Sequence, residues 1–434
     1  MGKRAWFLVV LNLLVPGSAQ ALAGSKRLGR FGLRATFVLW ALAALAIVAY
    51  SLWPAVVYTA ATTPILLGAA QVLLLAYALL WIVLTFDTLR LVRLVRLSSG
   101  ARPAVAIFAI LGLVISGGTA AYGAYLSGVT RETISDVFLA APPEPAIDGR
   151  YNILVLGGDA GPDRAGLRPD SISVMSIEEA TGRVSMIGLP RNLENFPFPE
   201  GSPLAALYPD GYDDNCNVDV CMLNSVYTEV EVNSPELYPN AVADGSQPGI
   251  EAMRDAVAGA LNIRIQYYVL IDMQGFSDLI DALGGIDINV TERLPIGGDV
   301  DDDGNPINVG AWVEVGQQHM NGNTALWYAR SRHGTSDYDR MARQREVQQA
   351  MLNQLDPVNV LTRFQDVAKA GAQVVKTDIP QGTLGRFVEL AVKAKGQPVT
   401  ALELVPPLIP DPSAPDYAQI HQLAADALAL TPPE

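Results

Sequence analysis

Tyr151-Asn152-Ile153-Leu154-Val155-Leu156-Gly157-Gly158-Asp159 reads as a short apolar strand, stopped by two glycines and ending on a carboxylate. Ser171 to Ile177 and Val184 to Leu189 have the same strand-like length and composition, and Gln266 to Ile271 and Ile286 to Val290 add two more. Helical stretches separate and follow them: Asn224 to Val232, Gly249 to Leu261 behind Pro248, Gly275 to Leu283 closed by Gly284-Gly285, and Ala325 to about Leu355 with a break. Strands and helices in this order predict an α/β or α+β domain, a mixed central β-sheet covered by helices on both faces. After Pro357 the pattern turns to amphipathic helices near 360–375, 382–394 and 418–430. Residues 151–358 therefore read as the domain proper, and residues 359–434 as a C-terminal helical extension packed on it.

Upstream, Pro142-Pro143-Glu144-Pro145 and Asp148-Gly149 mark residues 131–150 as a stiff polar linker. Before it, Ala35 to Phe86 carries no charged residue, a run more than twice the roughly 20 residues that one bilayer crossing needs. The run must fold back, and the prolines and threonines between Trp53-Pro54 and Thr62-Thr63-Pro64 place the turn. Pro103 to Thr130 supplies a third uncharged segment, so residues 35–130 read as three transmembrane helices behind a cytoplasmic or interfacial segment, residues 1–34. Lys26, Arg27, Arg30 and Arg34 precede the first helix, and Arg90, Arg93, Arg96 and Arg102 lie between the second and third. The positive-inside bias puts both groups in the cytoplasm, with the amino terminus, and everything after Arg131 outside. Met1 to Gly24 also resembles a cleavable signal peptide, with Lys3-Arg4, an apolar core and Ala19, Ala21 and Ala23. Cleavage would invert the later segments and expose four arginines on the outer side, so an uncleaved interfacial or re-entrant segment is the expectation.

Charge divides the chain in the same way. Residues 1–130 hold ten basic side chains and one acid, Asp87, whereas the remainder holds 20 basic and 43 acidic residues, a net charge of −23. Such a domain has no general affinity for nucleic acid, which rests on neutralising phosphates with a basic surface. An anionic ligand would need a local cluster of cations. Cys216 and Cys221, five residues apart in a stretch of Asp and Asn, suit a small disulfide loop in an oxidising compartment, with two free thiols as the other reading. Asp299, Asp301, Asp303 and Gly304 open like a calcium-binding EF-hand loop, but Gly310 stands where the motif requires Glu, so a solvated acidic loop is expected.

The cations that could form such a cluster are arginines, since no lysine occurs between Lys26 and Lys369. Arg330, Arg332, Arg340, Arg343 and Arg345 crowd into a short stretch of an acidic domain, where their mutual repulsion calls for an anion or acids between them. The planar guanidinium fork matches phosphate oxygens in pairs. Helical spacing places Asp337, Arg340 and Gln344 on one face; an exposed helix laced by Asp337 to Arg340 pairing is the plainer reading. If the first two strands are neighbours, Asp159 and Asp170 converge beside Arg168, an arrangement able to hold Mg2+ and the phosphates it bridges. Arg191, just after the third strand, could be aimed at the same spot.

Read in order, these motifs are similar to those of the LytR-CpsA-Psr family. They are Asn152 to Asp159, Arg168-Pro169-Asp170-Ser171, Gly188-Leu189-Pro190-Arg191, Asn224 to Tyr227, Tyr267-Tyr268-Val269, Gly275-Phe276 with Leu279 to Gly285, Ala325 to Arg332 and Asp337 to Gln344. The resemblance covers about Tyr151 to Val358 and implies an extracytoplasmic enzyme. Such an enzyme moves an anionic glycopolymer from a polyprenyl-pyrophosphate carrier to peptidoglycan through a phosphodiester. By motif, Asp159 and Asp170 would handle Mg2+; Arg168, Arg191, Arg330, Arg332, Arg340 and Gln344 would cradle the pyrophosphate; and Asp337 would orient the arginines. Asp170, Arg191, Arg168 and Asp337 are thus the expected catalytic set. Partners would be the lipid-linked polymer, the peptidoglycan acceptor and the bilayer, with no nucleic acid. Two departures stand out: Asn192 where the family usually has Asp, and Met222-Leu223 where a lysine usually precedes the Ile-Asn motif. Three membrane helices resemble an actinobacterial subgroup. A pyrophosphatase, an envelope regulator and a passive polymer-binding module are the rival functions.

Overall fold

The computed structural model describes residues 2–159, 168–213, 215–301, 306–331, 337–354, 375–395 and 397–430. Two compact units emerge, Met1–Ser135 with Leu384–Glu389, and Asp136–Thr383 with Leu390–Glu434.

The first unit is helical: α1 (Gly2–Leu14), α2 (Ser18–Ala23), α3 (Lys26–Leu52), α4 (Pro54–Thr62), α5 (Pro64–Val92) and α6 (Ala101–Val137). Its boundaries follow local chemistry. The Ser25 hydroxyl accepts from the Leu28 amide at the start of α3, and Pro54 and Pro64 begin α4 and α5, where a missing N–H costs nothing. Lys26–Leu52, Pro64–Arg96 and Ala101–Val137 are long and apolar enough to cross a membrane. The third of these runs past the expected border at Thr130, because nothing before Pro142 breaks a helix. At 13 residues, α1 spans about 20 Å, short of a bilayer core of about 30 Å. It packs within the unit through the buried Ala5 and Val9, which join Leu97, Val105 and Ala109 in one apolar cluster; on α2 the fully buried Gln20 donates to the Leu84 carbonyl (2.8 Å) and the Thr88 hydroxyl (2.9 Å) of α5. At Gly29 on α3 a β-carbon would lie 2.4 Å from the Ala21 nitrogen, so a side chain there would push α2 away.

The second unit is built on a six-stranded sheet in the order β11-β4-β1-β2-β3-β12. Its strands are β1 (Arg150–Asp159), β2 (Arg168–Glu178), β3 (Val184–Leu189), β4 (Tyr267–Asp272), β11 (Val375–Thr377) and β12 (Thr400–Glu403). The β1/β2, β2/β3 and β4/β11 pairs are antiparallel, and β1/β4 and β3/β12 are parallel. Both edge strands thus come from the stretch read as a helical extension. Segments of three and four residues are too short to show a period, which is why they escape a sequence reading. Two of the tail helices do form, Leu384–Ala394 and Tyr417–Ala427, and 360–375 lies largely outside the described residues. Ile286–Val290 (β5) pairs with Gly316–Met320 (β10) and not with the central sheet. The connection between them folds as two hairpins, β6 (Leu294–Ile296) with β9 (Ala311–Val313) and β7 (Asp299–Val300) with β8 (Pro306–Ile307). Asp303 and Gly304 of the calcium-loop reading lie outside the described residues.

The helices of this unit are α7 (Pro203–Leu207), α8 (Pro248–Leu261), α9 (Met273–Leu283), α10 (Gly322–Arg330), α11 (Asp337–Gln354), α12 (Leu384–Ala394) and α13 (Tyr417–Ala427). Gly284 closes α9 in the left-handed region (φ 93°), as its sequence position predicts. A 3-10 turn (Leu223–Ser225), one α turn (Val226–Thr228) and a π turn (Glu229–Asn233) follow one another where a single helix, Asn224 to Val232, is expected. Leu154, Leu156, Val174, Ile187 and Leu270 point to one side of the sheet and join Ile250, Met253 and Val257 of α8 and Ile420 and Ala424 of α13 in the main core. A second core lies among Ile286, Ile288, Met320, Ala325, Tyr328 and Val347.

Candidate functional site

Period-two alternation gives the strands a second apolar face. Val155 on β1, Met175 on β2, Met186 on β3 and Val269 and Ile271 on β4 point away from the main core and line a cavity of about 1140 Å³. Phe276 of α9, Leu326 and Trp327 of α10 and Met351 of α11 complete its apolar wall. Strands apolar on both faces are the signal that a sequence reading could have used to find this wall.

The polar part of the cavity is built on a defect in the sheet. Gly157 faces Ser171 and Gly158 faces Pro169, which leaves Asp170 as the extra residue of a β-bulge. A bulge re-aims its side chain, and Asp170 lines the cavity. Arg191, placed by the turn that ends β3, approaches to 2.8 Å between Nη1 and Asp170 Oδ1. From α11 the Arg340 guanidinium, almost wholly buried, donates through Nη2 to the Asp170 backbone oxygen (3.3 Å), with Nη1 3.8 Å from Oδ1. One carboxylate therefore sits between two guanidiniums that come from distant parts of the chain. Arg168 and Arg330, both exposed, line the same cavity with Gln344.

The junction of α10 and α11 fixes one further arginine of this stretch. Arg343 donates through Nε to the Tyr328 carbonyl (3.0 Å) and through Nη2 to the Ser331 carbonyl, while the Tyr328 hydroxyl donates to Glu346. Burial lowers the Arg343 guanidinium from its ordinary value and raises the Tyr328 phenol. Arg343 thus ties helices together and is absent from the cavity lining. Arg345 points elsewhere too: its Nε lies 2.7 Å from Glu403 on β12, a carboxyl that burial pushes up and Arg345 pulls down. The expected cluster of five is corrected accordingly: Arg345, five residues on from Arg340, lies on another face of the helix, and Arg343 is taken up by the carbonyls of Tyr328 and Ser331. That face continues through Gln344 and Gln348 to Met351, all in the lining.

Arg168, Asp170, Arg191, Arg330, Arg340 and Gln344 are therefore brought together. Arg332 lies outside the described residues, as do the side chains of Asp159 and Asp337. The backbone of Asp159 pairs with Arg168, at the same strand end as Asp170. Among the described residues no three carboxylate, histidine or cysteine side chains gather as a metal cluster. One or two carboxylates completed by substrate phosphates are a common way to hold Mg2+, and Asp170 is the carboxylate at this strand end whose side chain is described. The cysteines are joined, Cys216 to Cys221, and the loop they close carries Asp219 and Val220 into the cavity wall beside Met222. The sequence singled out the cysteines and Met222 without connecting either to the site.

Residues 129–405, well over half of the chain, match the family model described as the LytR_cpsA_psr family. A protein of Bacillus mycoides (strain KBAB4) named polyisoprenyl-teichoic acid–peptidoglycan teichoic acid transferase TagU is 26% identical over 292 residues, 63% of this chain and 79% of its own. Its counterpart TagV from Bacillus subtilis (strain 168) is 29% identical over 136 residues, 31% of this chain and 34% of its own. Among solved structures, B. subtilis TagV aligns with a TM-score of 0.46 at 20% identity, over 66% of this chain and 100% of that one. The LytR-Csp2A-Psr enzyme from Actinomyces oris aligns with a TM-score of 0.41 at 20% identity, over 67% and 96%.

Proposed function

The chain belongs to the LytR_cpsA_psr family, and from that premise we propose that it transfers an anionic glycopolymer from a polyprenyl-pyrophosphate carrier to peptidoglycan, forming a phosphodiester. The observation that carries the reading is the meeting of Arg168, Arg191, Arg330 and Arg340 at one apolar cavity, with Asp170 between two of them. A polyprenyl pyrophosphate has the matching composition: a long hydrocarbon for the apolar wall and a dianionic head for the guanidinium forks.

In the transfer, an acceptor hydroxyl attacks the phosphorus next to the sugar. The new O–P bond forms as the bridging P–O bond breaks, leaving polyprenyl phosphate. Negative charge on the transferring group and the leaving phosphate is then stabilised by guanidiniums already in place, the dominant contribution in phosphoryl transfer. Asp170 is a positioning group here, since its carboxylate holds Arg191 and Arg340. The hydroxyl proton goes to a carboxylate at this strand end, Asp159 or Asp170. Mg2+, when bound by those two residues, would screen the pyrophosphate oxygens. Arg332 and Asp337 complete the proposed set. We place the basic flanks of the three long helices in the cytoplasm and the sheet domain outside.

The test is a membrane assay with lipid-linked polymer, reading polymer bound to peptidoglycan. The wild-type chain should give bound product; release of free polymer instead would identify a pyrophosphatase.

A further inference from the structure

Among the described residues three carboxylates line the cavity: Asp170, Asp219 and Asp272. Asp170 holds the arginines, and Asp272 accepts from the Gly275 amide as the cap of α9. Asp219 differs, being exposed and having no hydrogen-bond or ion-pair partner among the described residues. Exposure within the lining places it at the rim, with Val220.

The loop that presents it is constrained at several points. Cys216 and Cys221 close it covalently. Asn217 donates its amide (3.0 Å) and its side-chain Nδ2 (2.9 Å) to Glu229, a buried carboxylate that also accepts from the Tyr208 hydroxyl. Beyond the disulfide, the Asn224 amide donates to the Arg191 carbonyl (3.0 Å), so this loop and the turn bearing Arg191 share one frame. A buried carboxylate costs desolvation, and a cross-link removes freedom; both are concentrated on six surface residues. The result is a rim carboxylate fixed relative to Arg191 before any ligand arrives, which is what preorganised recognition requires.

A carboxylate repels phosphate and accepts hydrogen bonds from hydroxyl groups. Resting on the reading above, we propose that Asp219, held by the Cys216–Cys221 loop, is a specificity residue that binds hydroxyls of the sugar next to the pyrophosphate. The lipid takes the apolar wall and the glycan must leave the cavity at its rim, where the exposed Arg168 and Arg330 also stand. Asp219 thereby distinguishes a glycosylated carrier from a bare one.

Full-length protein in detergent is titrated with two ligands, a polyprenyl pyrophosphate without sugar and one bearing a single neutral hexose. Asp219→Ala should weaken binding of the glycosylated ligand about tenfold, the loss of one or two hydrogen bonds to a charged group. Binding of the bare ligand should stay within about twofold of wild type and, in turnover, KM should rise while kcat holds. Asp219→Asn should fall between the two, and Cys216→Ser with Cys221→Ser should repeat the selective loss. The inference is overturned if Asp219→Ala affects both ligands alike or neither, or if it moves the Mg2+ requirement. Wild-type protein that binds neither ligand would sink the proposed function itself, an outcome distinct from equal binding by wild type and variant.

Discussion

The two ends of the central strands use the same side chain for opposite purposes. At the start of β1, Arg150 is buried beside the buried Glu178 and also donates to Ser176 and Ser185, with Arg183 covering the same carboxylate. Burial lowers the Arg150 guanidinium and Glu178 opposes the shift, so its charge is matched within the protein. At the other end of β1 the sheet breaks into a bulge, and Asp170 is shared by Arg191 and Arg340 beside the exposed Arg168 and Arg330. One end is closed, with Arg150 and Glu178 both buried; the other gathers four arginines along one cavity of an otherwise acidic domain. Arginine content alone therefore says little, and what separates scaffold from site is whether the guanidinium faces the packed interior or lines a cavity.

The largest effects should separate these two ends. Arg191→Ala and Asp170→Ala should each lower polymer transfer at least about a hundredfold, the range found when one preorganised charge-stabilising group is removed. Arg191 is about one-third exposed, so Arg191→Ala should change thermal stability by less than about 1 kcal/mol; Asp170→Ala also takes an acceptor from the almost wholly buried Arg340 and should cost about 1–3 kcal/mol, so its transfer is read per folded molecule. Full activity in either variant would remove the assignment. Arg150→Met should do the reverse, destabilising the domain by about 1–3 kcal/mol because the buried Glu178 keeps only one of its two guanidiniums and Ser176 and Ser185 lose their donor. Transfer per folded molecule should stay near wild type. If Arg150→Met costs activity without stability, the division between the two ends is wrong.

The sequence displays this division unevenly. Asp159, Asp170 and Arg191 are legible because each follows or opens a strand with clear glycine or proline punctuation, and strand ends are where a sheet delivers side chains. The convergence of Arg340 with Asp170 depends on a long-range contact that no local pattern encodes, and it is visible beforehand only through motif order. Arg343 and Arg345 show the limit from the other side. They sit in the same run of arginines, yet one goes to the Tyr328 carbonyl of the neighbouring helix and the other, on a different face, to Glu403. The edge strands β11 and β12 are too short to carry a period. The apolar wall is hidden for a different reason, since an apolar residue facing a cavity and one facing a core look alike in a linear sequence.

The smallest effect tests whether a charge pair outside both ends matters to the fold. His319 on β10 sits opposite Asp287 on β5, with Nδ1 2.7 Å from the carboxylate and Nε2 3.0 Å from the Gly284 carbonyl. Two acceptors facing both ring nitrogens favour the imidazolium, and the bond to Asp287 is the main reason its pKa is raised above 6.5. A folded value above the unfolded one stabilises the fold fully below pH 6.5, and this contribution disappears as the pH climbs through the raised value. With the side chains 60% and 69% exposed, solvent screening holds it to about 0.5 kcal/mol or less. Melting curves of wild type and His319→Gln should therefore lie furthest apart below pH 6.5 and draw together as the pH rises above it. A gap that does not change with pH would mean that His319 acts through packing, and that the β5/β10 pair, unlike the closed end of the central sheet, draws no stability from charge.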